Sequence, residues 1–340
     1  VVIDPDARLD DFVDAVLGSC LEHLLANHEA ARSSDDPEGV HQLRVAARRT
    51  RSILRTLRPF VAPAPTRQLR DALRWIGGAL GPARDRDVFC VETLPEIRAA
   101  LPGAAGLRRL AWEAELRRLA ARRAARAAID SERFAQGLLL LDRYVRGAEW
   151  RLDLDARRAR RIRRPARKIG VRLLDGLFGD VRLLDRPFGQ LTGAELHRLR
   201  IRTKRLRYAS EIFVPLYAPP GPTSPPDGQQ TKKEGRGRGK GKHEGGRKEP
   251  DRSRKARKDP GRRFSRRVRR LQDVLGRLND GRVADALVQD VLDHVEPTTR
   301  GRLEHAAGIV SGWSHARARQ QRKEAEHAWR RVAGAAPFWR

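Results

Sequence analysis

A basic segment in the first part of the chain recurs, with its charges in register, 156 residues further on. The first copy is residues 41–58, HQLRVAARRTRSILRTLR; the second is residues 197–213, HRLRIRTKRLRYASEIF. At that constant offset His41 falls on His197, Leu43 on Leu199, Arg44 on Arg200, Val45 on Ile201, Arg48 on Lys204, Arg49 on Arg205 and Arg51 on Arg207. Read as a helix, the first copy sets His41, Arg44, Arg48, Arg51, Arg55 and Arg58 at alternating steps of three and four. At ~3.6 residues per turn such steps return to one side, giving a basic stripe roughly 100° wide. Leu43, Ala46, Thr50, Ile53, Leu54 and Leu57 fall on a separate apolar arc. The second copy repeats the division, with His197, Arg200, Lys204 and Arg207 on one side and Leu196, Leu199, Thr203, Leu206 and Phe213 on the other. A chain built this way must bury two greasy backs while keeping two cationic faces wet or neutralised.

The charge balance says what would neutralise them. Lys and Arg number 72 against 43 Asp and Glu, a net charge of +29, far beyond what solubility needs. Such an excess implies a polyanionic partner: nucleic acid, an acidic membrane surface or another phosphate polymer. Aromatic residues make up 5% of the chain and are scattered, the stripes holding only Tyr208 and Phe213. That weighs against the stacking platforms of single-strand binders. Cys20 and Cys90 have no paired spacing, so they read as small buried residues in a reducing cytoplasm rather than as a zinc site or disulfide. No apolar run approaches the roughly 18 residues of a membrane span. The absence of any Met predicts a segment of a longer chain.

Apolar spacing of three and four recurs almost everywhere, and period-two alternation nowhere, so the expected class is all-α. Helices are predicted over 9–31, from Asp36-Pro37 through the first basic stretch, from a Thr66 cap to Leu80, over 84–100, over 104–128 and from Ser131 to Arg146. Residues 155–178 are helical in composition except at Pro165, where a start or kink is expected. A short motif is repeated as well: Leu80-Gly81-Pro82-Ala83-Arg84-Asp85 resembles Leu275-Gly276-Arg277-Leu278-Asn279-Asp280. The expected organisation is two four-helix-bundle-like halves, 1–150 and 151–340, with pseudo-two-fold symmetry around a basic central groove or pore. The second half is interrupted at about 218–261 by a Pro-, Gly- and Lys/Arg-rich insertion that reads as disordered.

The doubled His-x-x-Arg-x-x-x-[Arg/Lys]-x-x-Arg pattern, with the LG-x-x-[RN]-D elements, resembles the CHAD domain, the "conserved histidine α-helical domain", over roughly residues 5–335. The resemblance implies two four-helix bundles that bind inorganic polyphosphate without catalysis, often beside a CYTH-type triphosphatase domain. Carried over by position, the polyphosphate-binding residues would be His41, Arg44, Arg48, Arg49, Arg51 and Arg55, then His197, Arg200, Lys204, Arg205 and Arg207. Glu211 stands opposite Arg55 and departs from the pattern. Arg164, Lys168 and Arg172, in a basic cluster beginning at Arg160, would add another wall or be an exposed basic helix.

The chemistry suits such a ligand. The planar guanidinium fork meets two phosphate oxygens at once, while Lys serves as a point charge. A bound anion would favour protonated His41 and His197. Metal ligation by these histidines is disfavoured by the cations around them; hydrogen bonds to Asp85 or Asp280 would be a structural role. Those two acids read as helix caps or as Arg orienters. Glu113-x-Glu115-x-Arg117 mimics the ExExK signature of triphosphatase tunnels but sits in helical sequence, where that chemistry does not fit. No catalytic constellation and no cofactor motif is found. Expectation therefore settles on a cytoplasmic polyphosphate binder, at home on polyphosphate granules. A general nucleic-acid-binding helical protein and the accessory domain of a triphosphatase are the alternatives.

Overall fold

The computed structural model describes residues 3–33, 36–217 and 259–340. Most of the insertion read from the sequence lies outside the described residues. Its last positions do not: Asp259 caps a helix that begins at Pro260, its carboxylate accepting from the Gly261 and Arg262 amides.

Every extended element among the described residues is helical. In chain order they are α1 (Leu9–Ser33), α2 (Pro37–Leu57), α3 (Pro63–Ala79), α4 (Gly81–Val88), α5 (Leu94–Ala100), α6 (Leu107–Ile129), α7 (Glu132–Arg146), α8 (Ala156–Ile162), α9 (Ala166–Arg182), α10 (Gly193–Phe213), α11 (Pro260–Leu292) and α12 (Pro297–Ala333). Side-chain caps start the helices that carry the repeats. Asp36 accepts from the Glu38 amide, with Pro37 fixing the first turn of α2. Thr192 and Glu195 form a reciprocal capping box at the start of α10.

Two boundaries differ from expectation. Thr66 does not cap α3, which begins at Pro63; its hydroxyl is buried, donating to the Ala62 carbonyl and meeting Tyr144 Oη at 2.7 Å. The helix predicted over 84–100 begins at Gly81, behind Pro82, and a π-turn at Phe89–Thr93 joins α4 to α5. Pro95 explains that turn, since it cannot donate to the carbonyl four residues back and its ring crowds that carbonyl. Phe89, the first residue of that turn, is buried in the core. Pro165 marks a start: α9 follows it directly, and α1 is tied in by Leu9 N–H to the Arg164 carbonyl (2.9 Å) and Ala166 N–H to the Ala7 carbonyl (2.9 Å).

Packing explains the division of each repeat. Leu43, Ala46, Thr50, Ile53, Leu54 and Leu57 of α2 are all buried, as are Leu199, Thr203, Leu206 and Phe213 of α10, while Leu196 is half-buried. Helix α2 packs against α1 and α3, and α10 against α9 and α11; α2 and α10 also touch each other. The larger core is continuous across both repeats, running from Leu9 in α1 to Trp339 near the C-terminus. Phe12 of α1 stacks on Phe213 of α10, centroids 4.6 Å apart, and Trp150, fully buried, donates to Asp14 at 2.8 Å. A smaller core gathers Phe89, Leu94 and Ile97 with Leu107 and Leu110 of α6, Val288 of α11 and Leu303 and Val310 of α12.

Gly170 of α9 packs tightly against the end of α10 and the turn that follows it. A Cβ there would lie 2.7 Å from both Phe213 Cδ1 and Tyr217 Oη. Gly170→Val should therefore lower stability by about 1–3 kcal/mol in a denaturant melt. An unchanged midpoint would mean that the two helices are not in contact at this point.

Candidate functional site

A cleft of about 480 Å³ opens between α2, α4, α10 and α11. Helix α2 supplies His41, Arg44 and Arg48; α10 supplies Arg200 and Lys204; the repeated short motifs add Arg84 and Asp85 from one side, Gly276, Arg277 and Asp280 from the other. Glu92 and Thr93 of the π-turn and Gln272 and Asp273 of α11 complete the polar lining. The two copies thus face a shared space, and Arg48 Nε reaches across to Tyr208 Oη at 3.4 Å.

The cations in this cleft crowd one another. Burial, then Arg200, Arg48 and Arg44, press the Lys204 ammonium down from its ordinary 10.5 to about 7, with Asp280 pulling the other way. Burial also lowers Arg44, with Arg48 and Arg84 adding to it and Asp85, 3.6 Å away, opposing. Arg200 is lowered by burial and by Arg48 and Arg44, against Asp280 and Asp85. Its Nε is buried without a hydrogen-bond partner. Desolvation raises Asp280 despite Arg200 and Lys204, and Asp85 and Glu92 push it further. His41 is lowered by burial and by Arg84, Arg48 and Arg44, against Glu38, and the balance favours its neutral form. These side chains suit a multivalent anion, which would relieve each of the cationic shifts together.

The remaining predicted residues are placed elsewhere. His197 is exposed and lines a neighbouring pocket rather than the cleft, although Arg200 belongs to both. Arg49 turns toward α1, beside His23 and Cys20. Arg51 faces Arg70 and Arg74 of α3. Arg55 lies near Arg205, which is itself 3.8 Å from Asp180. Arg207 donates to Glu211 at 2.8 Å and lies near Asp273. Arg164, Lys168 and Arg172 are exposed and are not among the residues that line the cleft. Neither Asp85 nor Asp280 caps a helix: Leu80 occupies that position for α4, and Asp280 lies within α11. Both act on arginines instead. Arg84 and Arg277 were missed as site residues, yet both stand in the repeated LG-x-x-[RN]-D motifs, which are the signal that could have found them. Gln272 and Glu92 carry no such signal.

Glu113 and Arg117 sit inside α6, where Glu113 pairs with Arg109 (2.7 Å) and Arg117 (3.1 Å). Among the described residues no group of three or more His, Cys, Asp or Glu could hold a metal ion, and no helix is long and apolar enough to cross a membrane.

The fold and cleft define the chain as an all-helical protein whose repeated basic helices share one cavity. Residues 15–225 match the CHAD domain, and the chain belongs to that family. The crystal structure of the CHAD domain from the plant Ricinus communis is 28% identical, with a TM-score of 0.70 over 99% of this chain and 95% of that one. PptA from Streptomyces chartreusis shares the fold at 16% identity, with a TM-score of 0.56 over 96% of this chain and 99% of that one. No curated protein matches the sequence.

Lys204 yields a test that needs no ligand. The unfolded chain keeps this proton up to about pH 10.5, the folded chain only to about 7, so the folded protein is penalised below that window and gains stability as pH rises through it. Lys204→Met should raise the melting temperature at pH 7 by about 2 °C or more. The advantage over wild type should shrink toward pH 10. A difference that stays constant with pH, or a less stable variant at pH 7, would remove Lys204 from the crowded group.

Proposed function

We propose that this protein binds inorganic polyphosphate in the cleft between α2 and α10, holding the polymer without transforming it. The observation that carries the reading is the convergence of Arg44 and Arg48 with Arg200 and Lys204, each from the same register position of its repeat, on one cavity. Membership of the CHAD family supports it. On this reading the two repeats are halves of a pseudo-symmetric pair, 1–150 and 151–340, and the cleft is their shared basic groove. Arg44, Arg48, Arg84, Arg200, Lys204 and Arg277 neutralise successive phosphates. His41 gains a proton as the anion arrives, and Asp85 and Asp280 hold Arg44 and Arg200 in place until then. A phosphate chain offers charge at every unit and no bases to read, which fits a site rich in guanidinium groups and without an aromatic platform. The physiological setting would be the cytoplasm and its polyphosphate granules, with a CYTH-type triphosphatase as a fitting fused or separate partner.

Binding should weaken as salt rises, because each neutralised phosphate releases counterions. It should also weaken as pH climbs through about 7, where Lys204 loses its charge. Combined Arg44→Glu, Arg48→Glu, Arg200→Glu and Lys204→Glu should abolish retention of long-chain polyphosphate while the helical circular dichroism persists. Retention by that folded variant would move the site out of this cleft. Competition separates the nucleic-acid alternative: polyphosphate should displace labelled RNA or DNA at far lower phosphate concentration than the reverse, and the opposite order would favour nucleic acid.

A further inference from the structure

A second cavity, of about 300 Å³, opens beside the cleft where α10 meets α11 and α12. Arg200 lines both cavities, so the two are neighbours across one guanidinium group whose Nε has no partner of its own. The side pocket differs from the cleft in chemistry. Its floor is apolar, from Leu196, Leu275, Leu278 and Ala318, and its rim is basic, from His197, Arg282, His315, Arg319 and Arg322, with no carboxylate in the lining. Parts of that rim are held in place. Arg322 donates to the carbonyls of Gly189 (3.0 Å) and Leu191, and His315 Nδ1 lies 2.8 Å from the Ser311 carbonyl, so its proton sits on that nitrogen.

A bare phosphate chain gains nothing from four aliphatic side chains. A flat ring joined to phosphate gains from every part of the pocket: its faces from the aliphatic floor and from the planar Arg and His groups, its first phosphate from Arg200. We propose that the side pocket binds the base of a nucleoside polyphosphate whose phosphate tail lies in the central cleft. The inference rests on the cleft being the phosphate site. It adds a ligand class that carries an organic end group, and it gives the otherwise displaced His197 a contact with that group rather than with the polymer.

The test compares ATP with methyl triphosphate, which carries the same triphosphate ester and no base, by isothermal titration on the full chain without divalent metal. ATP should bind about tenfold more tightly, because methyl triphosphate leaves the apolar floor uncovered. Ala318→Trp, filling the floor, should bring ATP down to the affinity of methyl triphosphate and leave methyl triphosphate unchanged. Arg319→Glu, at an exposed position, should narrow the gap without a packing change. Equal affinities in the wild type, or a preference that survives both variants, would overturn the proposal. Long-chain polyphosphate measured in parallel keeps the two readings apart: polyphosphate binding without an ATP preference overturns the side pocket alone, and loss of both overturns the cleft as well.

Discussion

Repulsion among half-buried cations is what the rest of this structure has to contain. Arg44, Arg48, Arg200 and Lys204 meet across the contact between α2 and α10; Arg48 lowers the proton affinity of Arg44 and Arg200, and all three arginines lower that of Lys204. Left alone such a group would push the helices apart. The opposing force is the burial of both apolar arcs in one continuous core, helped by the Phe12–Phe213 stack, which fastens α1 to α10. Asp85 and Asp280 add local relief without cancelling the charge. The protein thus keeps an electrostatically uncomfortable cleft inside a hydrophobic clamp, which on the proposed reading trades stability for a prepared binding site.

Much of this was legible in the sequence, because the information lay in period and register. Spacing of three and four residues separated α2 into arcs, and every residue assigned to its apolar arc is buried. The constant offset between the repeats paired Arg44 with Arg200 and Arg48 with Lys204, and those pairs meet. The all-helical class followed from the same periodicity, and the CHAD resemblance is matched by the family to which the chain belongs.

What the sequence could not give is where a stripe stops facing its cavity. A stripe from His41 to Arg58 runs about 25 Å along a helix, and the cleft reaches only its first turns. Arg51, on the edge of the arc, meets α3, and Arg55 lies past the opening beside Arg205. His197 matches His41 in register but lies at the start of α10, where α11 and α12 enclose a separate pocket. Helical phase is local information, whereas the helix that covers each turn is decided by distant packing. The π-turn shows the same limit: Pro95 announces a disturbed helix, but only the fold reveals that Glu92 and Thr93 reach the cleft.

The acids in the cleft tell more about its design than the arginines do. If maximal anion affinity were the only constraint, Asp85, Asp273, Asp280 and Glu92 would be liabilities, since each repels phosphate. Yet a cleft of fixed guanidinium groups with no counter-charge would lose its geometry, because each arginine would swing toward water. Asp85 at 3.6 Å from Arg44 is close enough to orient it and too far for a tight bidentate pair. A weak internal partner of that kind is readily exchanged for a stronger external one. On the proposed reading incoming phosphate would find arginines already aimed, and Asp280, whose proton affinity burial already raises, can take up a proton rather than repel the ligand. Electrostatic preparation here consists of imperfect pairing, strong enough to position the cations and weak enough to yield them.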